Sequence, residues 1–172
     1  MSQLKVDSLV PTTGVPSGGA GGAIQTLSTT KTDTFSTSNN SFTDIPNLSV
    51  TITPRSSSSK ILVFGHCTGN GNGSTRVNFR LVRGSTAICI GDANGDRVRA
   101  FGGIFAPNND NTTETVSFVH LDSPGTTSAT TYKVQVVNGG GQTIYVNRSD
   151  SFTNHVTHNS GTSSITVMEV SA

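Results

Sequence analysis

The four histidines are the first residues of this chain that could do chemistry: His66, His120, His155 and His158. His155 and His158 have the i, i+3 spacing that lets two imidazoles on one helix face share a metal ion. Their Ser-, Thr- and Asn-rich neighbours do not favour a helix, so the pattern indicates loop histidines without a metal. His66 and Cys67 are adjacent in a strand-like run, where neighbouring side chains point to opposite faces, so they cannot form a joint site.

A second candidate is the alternating set Asp92, Asn94 and Asp96, which resembles the first oxygen ligands of a calcium loop. Gly95 stands where the EF-hand pattern does not place a glycine, and Gly103 occupies the twelfth position, which needs an acidic residue. A hairpin turn made of Asx and Gly residues explains the segment equally well. We therefore expect no bound metal, although the sequence leaves both interpretations open.

Paired carboxylates are the remaining signal for catalysis: Asp92 with Asp96, and Asp110 with Glu114. A glycosidase needs two carboxylates about 5–10 Å apart across a substrate cleft, but both pairs lie in turn-like polar segments. The chain contains no G-x-S-x-G motif, P-loop or zinc-hydrolase helix. We predict that the protein is not an enzyme and that it has no catalytic residue, cofactor-binding residue or cofactor.

Four arginines, Arg76, Arg80, Arg97 and Arg99, occupy alternating positions on two predicted strands. They could form a basic patch for an acidic glycan of a host surface. The alternative is an ordinary solvated sheet face whose charges discourage edge pairing. The sequence favours the second interpretation.

Composition limits the class of protein. The 172 residues carry a net charge of +1, and only 12% are charged, against about 25% in an average soluble domain. So little charge does not favour nucleic acid or an anionic membrane as partner, and no apolar run approaches the ~20 residues that span a bilayer. We also expect no secretory leader. The 23 Ser, 26 Thr and 19 Gly are typical of a β-protein with a polar, uncharged surface.

Two regions follow from the patterning. Residues 1–23 predict an N-terminal docking arm, because a few apolar residues precede the glycine-rich linker 18–22; a frayed terminus without a role is the alternative. Residues 24–172 predict a β-sandwich domain, which a connector within 24–60 enters. The apolar residues of the arm are Leu4, Val6, Leu9 and Val10.

Apolar runs predict the strands of the sandwich. Val77, Phe79 and Leu81 alternate with polar residues, whereas 61–64 is apolar on both faces, as in a central strand between two layers. The predicted strands are 48–52, 61–64, 77–81, 87–90, 98–105, 116–121, 132–137, 143–146 and 165–170. They predict an all-β antiparallel sandwich, with a jelly roll as first choice and almost no helix. Cys67 and Cys89 lie in apolar runs and are expected to be buried and free.

Eight segments are informative when they are taken in their order along the chain: Ser2–Asp7, Lys31–Thr37, Leu48–Pro54, Lys60–Val63, Arg83–Ile88, Leu121–Pro124, Thr131–Val136 and Ile165–Val170. Together they resemble exterior structural proteins of marine tailed phages, especially cyanophages. The resemblance covers most of residues 1–8 and 31–172. It implies a virion structural protein of the tail-fibre or particle-surface kind.

Three functions remain open. The first is a display protein on the virion exterior, made in the cytoplasm of the bacterial host and docked to other virion proteins by its arm. The second is a receptor module that binds a host surface glycan through the turns Gly69–Gly73 and Asn108–Thr113. The third is a capsid decoration protein. The thin apolar content and the resemblance favour a homotrimer, whose interface we expect to include residues 165–170, because both faces of that run are largely apolar.

Overall fold

The computed structural model describes residues 22–106 and 111–171, in which eleven antiparallel strands and no helix occur. The strands are β1 (Ala23–Lys31), β2 (Phe35–Thr37), β3 (Thr43–Ile52), β4 (Lys60–Gly71), β5 (Thr75–Arg83), β6 (Thr86–Ile88), β7 (Gly102–Ala106), β8 (Glu114–Asp122), β9 (Thr130–Asn138), β10 (Ile144–Val146) and β11 (Ser163–Val170). The predicted antiparallel all-β fold is confirmed, and the jelly-roll connectivity stays a prediction. The predicted docking arm lies, up to residue 21, outside the described residues.

The strands form two sheets. Sheet A has the order β1-β11-β4-β10-β2, and β8 pairs with β4 along its other edge. The first and last described strands are therefore neighbours, with Lys31 opposite Ser163 and Ala23 opposite Val170. Sheet B has the order β3-β9-β5, and both β6 and β7 pair with the free edge of β5.

The core lies between the two sheets. Along β5, Val77, Phe79 and Leu81 are fully buried, because successive strand residues point to opposite faces and this set points inward. Sheet A supplies the other half of the core through β4 and β11, whose inward residues include Ile61 and Ile165. Apolar burial of this kind contributes roughly 1.5–3 kcal/mol for each large side chain.

Each edge of one sheet lies beside an edge of the other. At one side, the Thr29 hydroxyl of β1 donates a hydrogen bond of 2.9 Å to the Ser49 carbonyl of β3. At the other side, the Phe101 ring, just before β7, lies 4.7 Å from the ring of Phe118 in β8. These edges of the two sheets thus face each other within the described residues, and the outer faces of the two sheets point away from the core.

Three sequence expectations need correction. Residues 24–31, assigned to a connector, form β1, whose Ser- and Thr-rich sequence lacks an apolar alternation. The strand predicted for residues 98–105 begins only at Gly102, so residues 98–101 are not part of it. The run 61–64 does lie in a central strand, but only Ile61 and Val63 point into the core, while Leu62 and Phe64 lie on the outer surface of sheet A.

Candidate functional site

The outer face of sheet A carries six apolar side chains on three adjacent strands. In the register of the sheet, Leu62 of β4 lies opposite Leu121 of β8 and Met168 of β11, and Phe64 lies opposite Val119. Val119 and Leu121 are 67% and 57% exposed. We call this surface, consisting of Leu62, Phe64, Val119, Leu121, Met168 and Val170, the apolar face.

The neighbours of the apolar face are almost uncharged. Toward β1 it is bordered by hydroxyl side chains, where Ser28 and Thr166 are hydrogen-bonded at 2.8 Å. Lys60 closes one end, and its ammonium donates to the Ser123 hydroxyl at 2.8 Å. His66 lies at the other end, hydrogen-bonded to the Ser164 hydroxyl at 3.0 Å. The outward-facing residues paired across β4 between Lys60 and His66 include no carboxylate or guanidinium.

The segment after β10 covers the far end of sheet A. The backbone N–H of Asn147 donates to the Thr68 carbonyl at 3.0 Å, and a Cβ at Gly161 would lie 2.7 Å from the Thr68 methyl group. The Arg148 guanidinium lies 4.3 Å from the centre of the Tyr145 ring, which also faces outward. The described residues of this segment do not reach the part of the apolar face near Ser171, which follows β11.

The inward side of β11 contrasts with its outward side. Glu169, between Met168 and Val170, is fully buried. Its carboxylate accepts hydrogen bonds from the Gln25 amide at 2.5 Å and from the Arg55 backbone N–H at 2.7 Å. Burial by itself would raise the pKa of Glu169, but these bonds and those from Ser56 and Ser59 outweigh it and lower the pKa. Glu169 thus holds the loop before β4 against the end of the sandwich.

The outer face of sheet B has the opposite chemistry. Asp44 accepts hydrogen bonds from Lys133 at 2.7 Å and from Gln135 at 2.6 Å, and Gln135 in turn accepts one from Arg80 at 2.8 Å. The Arg80 guanidinium lies 3.8 Å from the centre of the Phe42 ring. We call Asp44, Arg80, Lys133 and Gln135 the polar face. Burial opposes ionisation of Asp44, but the bonds from Lys133 and Gln135 lower its pKa.

A shallow depression of about 290 Å³ lies beside the polar face. Its walls include Arg76, Asn78, Gly103 and Phe105. Phe105 is 47% exposed, and the Arg76 guanidinium lies 5.4 Å from the centre of its ring. A cation, an amide and an exposed ring next to a bare glycine backbone can contact a polar, ring-shaped molecule.

A buried polar cluster joins β5, β8 and β9. The Tyr132 hydroxyl donates to the Asp122 carboxylate at 2.6 Å, and Arg83 donates to both oxygens of that carboxylate at 2.8 and 2.9 Å. Burial and the bond to Asp122 raise the pKa of Tyr132, so the phenol stays protonated. Tyr132, Asp122 and Arg83 are hydrogen-bonded to one another, so the cluster is structural.

The structure disperses the histidines. His66 points outward and Cys67 inward, as predicted from their adjacency. The rings of His155 and His158 lie 5.7 Å apart in a loop, and each is hydrogen-bonded to a nearby threonine. Within residues 22–106 and 111–171, no three His, Cys, Asp or Glu side chains are placed to share a metal ion.

The other predicted sites are spread over loops. Asp92, Asn94 and Asp96 lie in an exposed segment without regular structure. Asp110 falls outside the described residues, so its pairing with Glu114 stays untested. Of the four arginines, Arg76 and Arg80 share β5, but Arg97 and Arg99 lie before β7 rather than on a strand, which corrects the two-strand prediction.

The structure also changes the extent of the first of the two predicted receptor turns. Gly69–Gly71 belong to β4 and are buried, so only Asn72 and Gly73 of that group reach the surface. Of the second turn, 108–110 lie outside the described residues. The cysteines are free, with Cys67 buried and Cys89 half-buried, and burial raises the pKa of both thiols.

Sequence reasoning missed most of the apolar face. It placed Met168 and Val170 together on one of the two apolar faces of the last strand, without stating which face points outward. It did not join them to Leu62, Phe64, Val119 and Leu121, because the register that aligns β8, β4 and β11 is a long-range property. The available signal was the run 61–64, which is apolar on both faces. The prediction attributed this pattern to a central strand covered by a layer on each side.

Comparison with known proteins adds no assignment. No protein-family model matches the chain, and no curated protein matches it. In the described residues no helix is long and apolar enough to cross a membrane.

Proposed function

We propose that the protein is a non-enzymatic structural subunit on the exterior of a tailed-phage virion. An N-terminal arm docks it to other virion proteins, and the β-sandwich, as a homotrimer, is displayed outward in the manner of a tail fibre. The ordered resemblance to exterior proteins of marine phages supports the virion role. The structural observation that carries the proposal is the apolar face, because an assembly subunit needs an extended surface for protein–protein contact.

The position of the first described residues supports docking through the arm. Gly22 and Ser171 exchange two hydrogen bonds, from the Ser171 N–H to the Gly22 carbonyl and from the Gly22 N–H to the Ser171 hydroxyl. This contact anchors the chain at one corner of sheet A. Because β1 begins at Ala23, the proposed arm precedes the first strand of the sandwich in the chain.

Immunogold labelling of intact virions tests the proposal. An antibody raised against the chain should label the outside of particles from a phage that encodes it, and the protein should co-purify with those particles. Label on the tail agrees with a fibre-like subunit, whereas label over the head would replace it by the capsid decoration alternative. A chain found only in the lysate, never on particles, would contradict both.

Deletion of residues 2–21 tests the role of the arm. The truncated chain should unfold at the same temperature as the full chain, because Gly22 and β1 are kept, and it should be missing from particles assembled in its presence. A variant with Gly14, Pro16 and Ser17 replaced by alanine serves as control and should be incorporated. Normal incorporation of the truncated chain would place docking in the sandwich instead.

A second function is favoured by the depression at Arg76, Asn78 and Phe105. We propose as the alternative that it binds an acidic glycan of a host surface, with Arg76 facing the carboxylate and Phe105 contacting the sugar ring. Arg76→Ala should reduce binding to an immobilised uronic-acid polysaccharide at least tenfold, while Arg97→Ala should not. Equal binding by both variants would rule out this site.

A further inference from the structure

The apolar face differs from the rest of the surface in having no ionic or hydrogen-bonding function within its own chain. Leu62, Phe64 and Met168 point away from the core although they lie on central strands. Burying their accessible area would be favourable by roughly 25 cal/mol for each Å². Within one chain these residues contribute only roughly 0.2–1 kcal/mol for each cross-strand pair, and polar residues at the same positions would also be compatible with the sandwich.

The size of the surface fits a stable interface. The three strands of the apolar face and the hydroxyl border on β1, at ~4.8 Å spacing, and the eight residues of β11, at ~3.4 Å rise, outline a footprint of roughly 19 by 27 Å. That is about 500 Å² for each copy and about 1,000 Å² for a pair of copies, which is the lower bound for a specific interface.

The charge pattern selects the kind of partner. Interfaces between identical chains are more apolar than transient ones and are depleted of charged residues in their centre. The apolar face has its one cation, Lys60, at the end and hydroxyl groups along the side toward β1. A partner that relied on charge for orientation would find no counter-charge in the centre, whereas three copies of this face around one axis would place apolar groups against apolar groups.

The fold also limits how copies can meet. Because β1 lies beside β3, and the Phe101 ring before β7 lies beside β8, these edges of the two sheets face each other within the chain, which restricts strand addition there. The outer face of sheet A has no such neighbour among the described residues on β8, β4 and β11, which favours packing through this face. We propose that the apolar face is the surface through which copies of this chain pack against one another around the axis of the homotrimer, an inference that rests on the trimer in the proposed function.

Closed symmetry explains why such a face need not cause aggregation. In a ring of three, each face is covered by its neighbours, and no apolar surface is left for a further copy. The polar faces then lie outward, where their paired charges meet water. The depression at Arg76 would remain accessible in this arrangement.

Multi-angle light scattering on the full-length chain tests the inference. At micromolar concentration the wild type should have about three times the 17.8 kDa mass of one chain. The double variant Val119→Glu, Leu121→Glu should fall to the mass of one chain with unchanged circular dichroism, because both side chains are already exposed in the isolated sandwich. Val98→Glu, at a residue that is 47% exposed and belongs to no strand of sheet A, is the control and should remain a trimer.

Each other outcome overturns the inference in a distinguishable way. A double variant that stays trimeric places the interface elsewhere and leaves the trimer intact. A wild type with the mass of one chain removes the trimer, while immunogold labelling still decides the virion role. If deletion of residues 2–21 converts a monomeric wild type into an oligomer, the apolar face is covered by the chain's own arm and not by a second copy.

Discussion

The outer faces of sheets A and B are built from antiparallel strands with the same inward–outward alternation, yet their side chains are chemically opposite. On sheet B, Arg80, Gln135, Asp44 and Lys133 form a chain of hydrogen bonds, so the polar face is satisfied by its own residues. On sheet A, the corresponding positions hold leucine, phenylalanine, valine and methionine, of which Val119 and Leu121 are the most exposed.

This difference shows how a polar chain can divide two tasks between two sheets. A solvated face needs its charges paired but gains little from them, since exposed ion pairs contribute about 0–1 kcal/mol. An assembly face needs its apolar area unpaired until a partner arrives. Both faces use the same core, which is why the contrast cannot be found from overall composition.

The largest expected effect comes from a charge on the apolar face. Met168→Asp should convert the trimer to monomers, because an unpaired buried carboxylate costs about 3–5 kcal/mol, and Leu62 and Thr26 beside it offer no counter-charge. Sedimentation velocity measures the change. Persistence of the trimer would mean that β11 faces water in the assembly.

The adjacent residue should behave in the opposite manner. Glu169→Gln should lower the free energy of unfolding by about 1.5–3 kcal/mol, the range for hydrogen bonds to a charged group, and leave the trimer intact. Chemical denaturation of the matched Met168→Asp monomer gives the comparison. Equal effects of the two substitutions on mass would show that the two sides of β11 are not distinct.

The same residue sets a pH dependence. The pKa of Glu169 is lowered in the folded chain relative to its ordinary value of 4.5. The unfolded chain therefore takes up the proton first as the pH falls, so the stability that Glu169 contributes is present at neutral pH and is lost below about pH 4.5. Denaturation between pH 3 and pH 7 should show a shallower decline for Glu169→Gln than for the wild type. Parallel curves would contradict this role.

On the polar face the effect should be small. Asp44→Asn should cost less than ~1 kcal/mol, because the Asp44 side chain is 53% exposed and its ion pair with Lys133 is screened by solvent. Salt should reduce the difference from the wild type, measured by denaturation at low and high ionic strength. A loss as large as that of Glu169→Gln would mean that the polar face is covered by a partner.

The smallest expected effect is that of metal removal. The melting temperature should not change on addition of EDTA. The described residues, which include Asp92, Asn94 and Asp96, contain no group of three His, Cys, Asp or Glu side chains that could hold a metal ion. A fall of more than ~5 °C, well above the shift that a few tenths of a kcal/mol produce, would revive the calcium interpretation.

Local patterns were sufficient for most of the strands. The alternation at Val77, Phe79 and Leu81 fixed which side of β5 is buried, and turn residues separated the strands correctly. They failed at β1, where Ser and Thr fill both sides of the strand and only pairing with β11 defines it. They failed again at residues 98–101, which are partly apolar and were predicted as strand but lie before β7.

The candidate surfaces were harder to predict than the strands. Which residues of β8, β4 and β11 lie side by side depends on a register between segments up to about a hundred residues apart, and no local spacing encodes it. The hydrogen-bond chain through Asp44 has the same origin, since Asp44 meets Gln135 only through the pairing of β3 with β9. Asp44 and Gln135 gave no motif in the sequence.

A cryo-EM reconstruction of a virion that contains the chain tests the central claim most directly. The account predicts three copies around a threefold axis on the particle exterior, with Leu62, Phe64 and Leu121 of each copy against a neighbouring copy and the polar face toward solvent. A reconstruction in which these three side chains face water, or in which the sandwich occurs as a single copy, would contradict it.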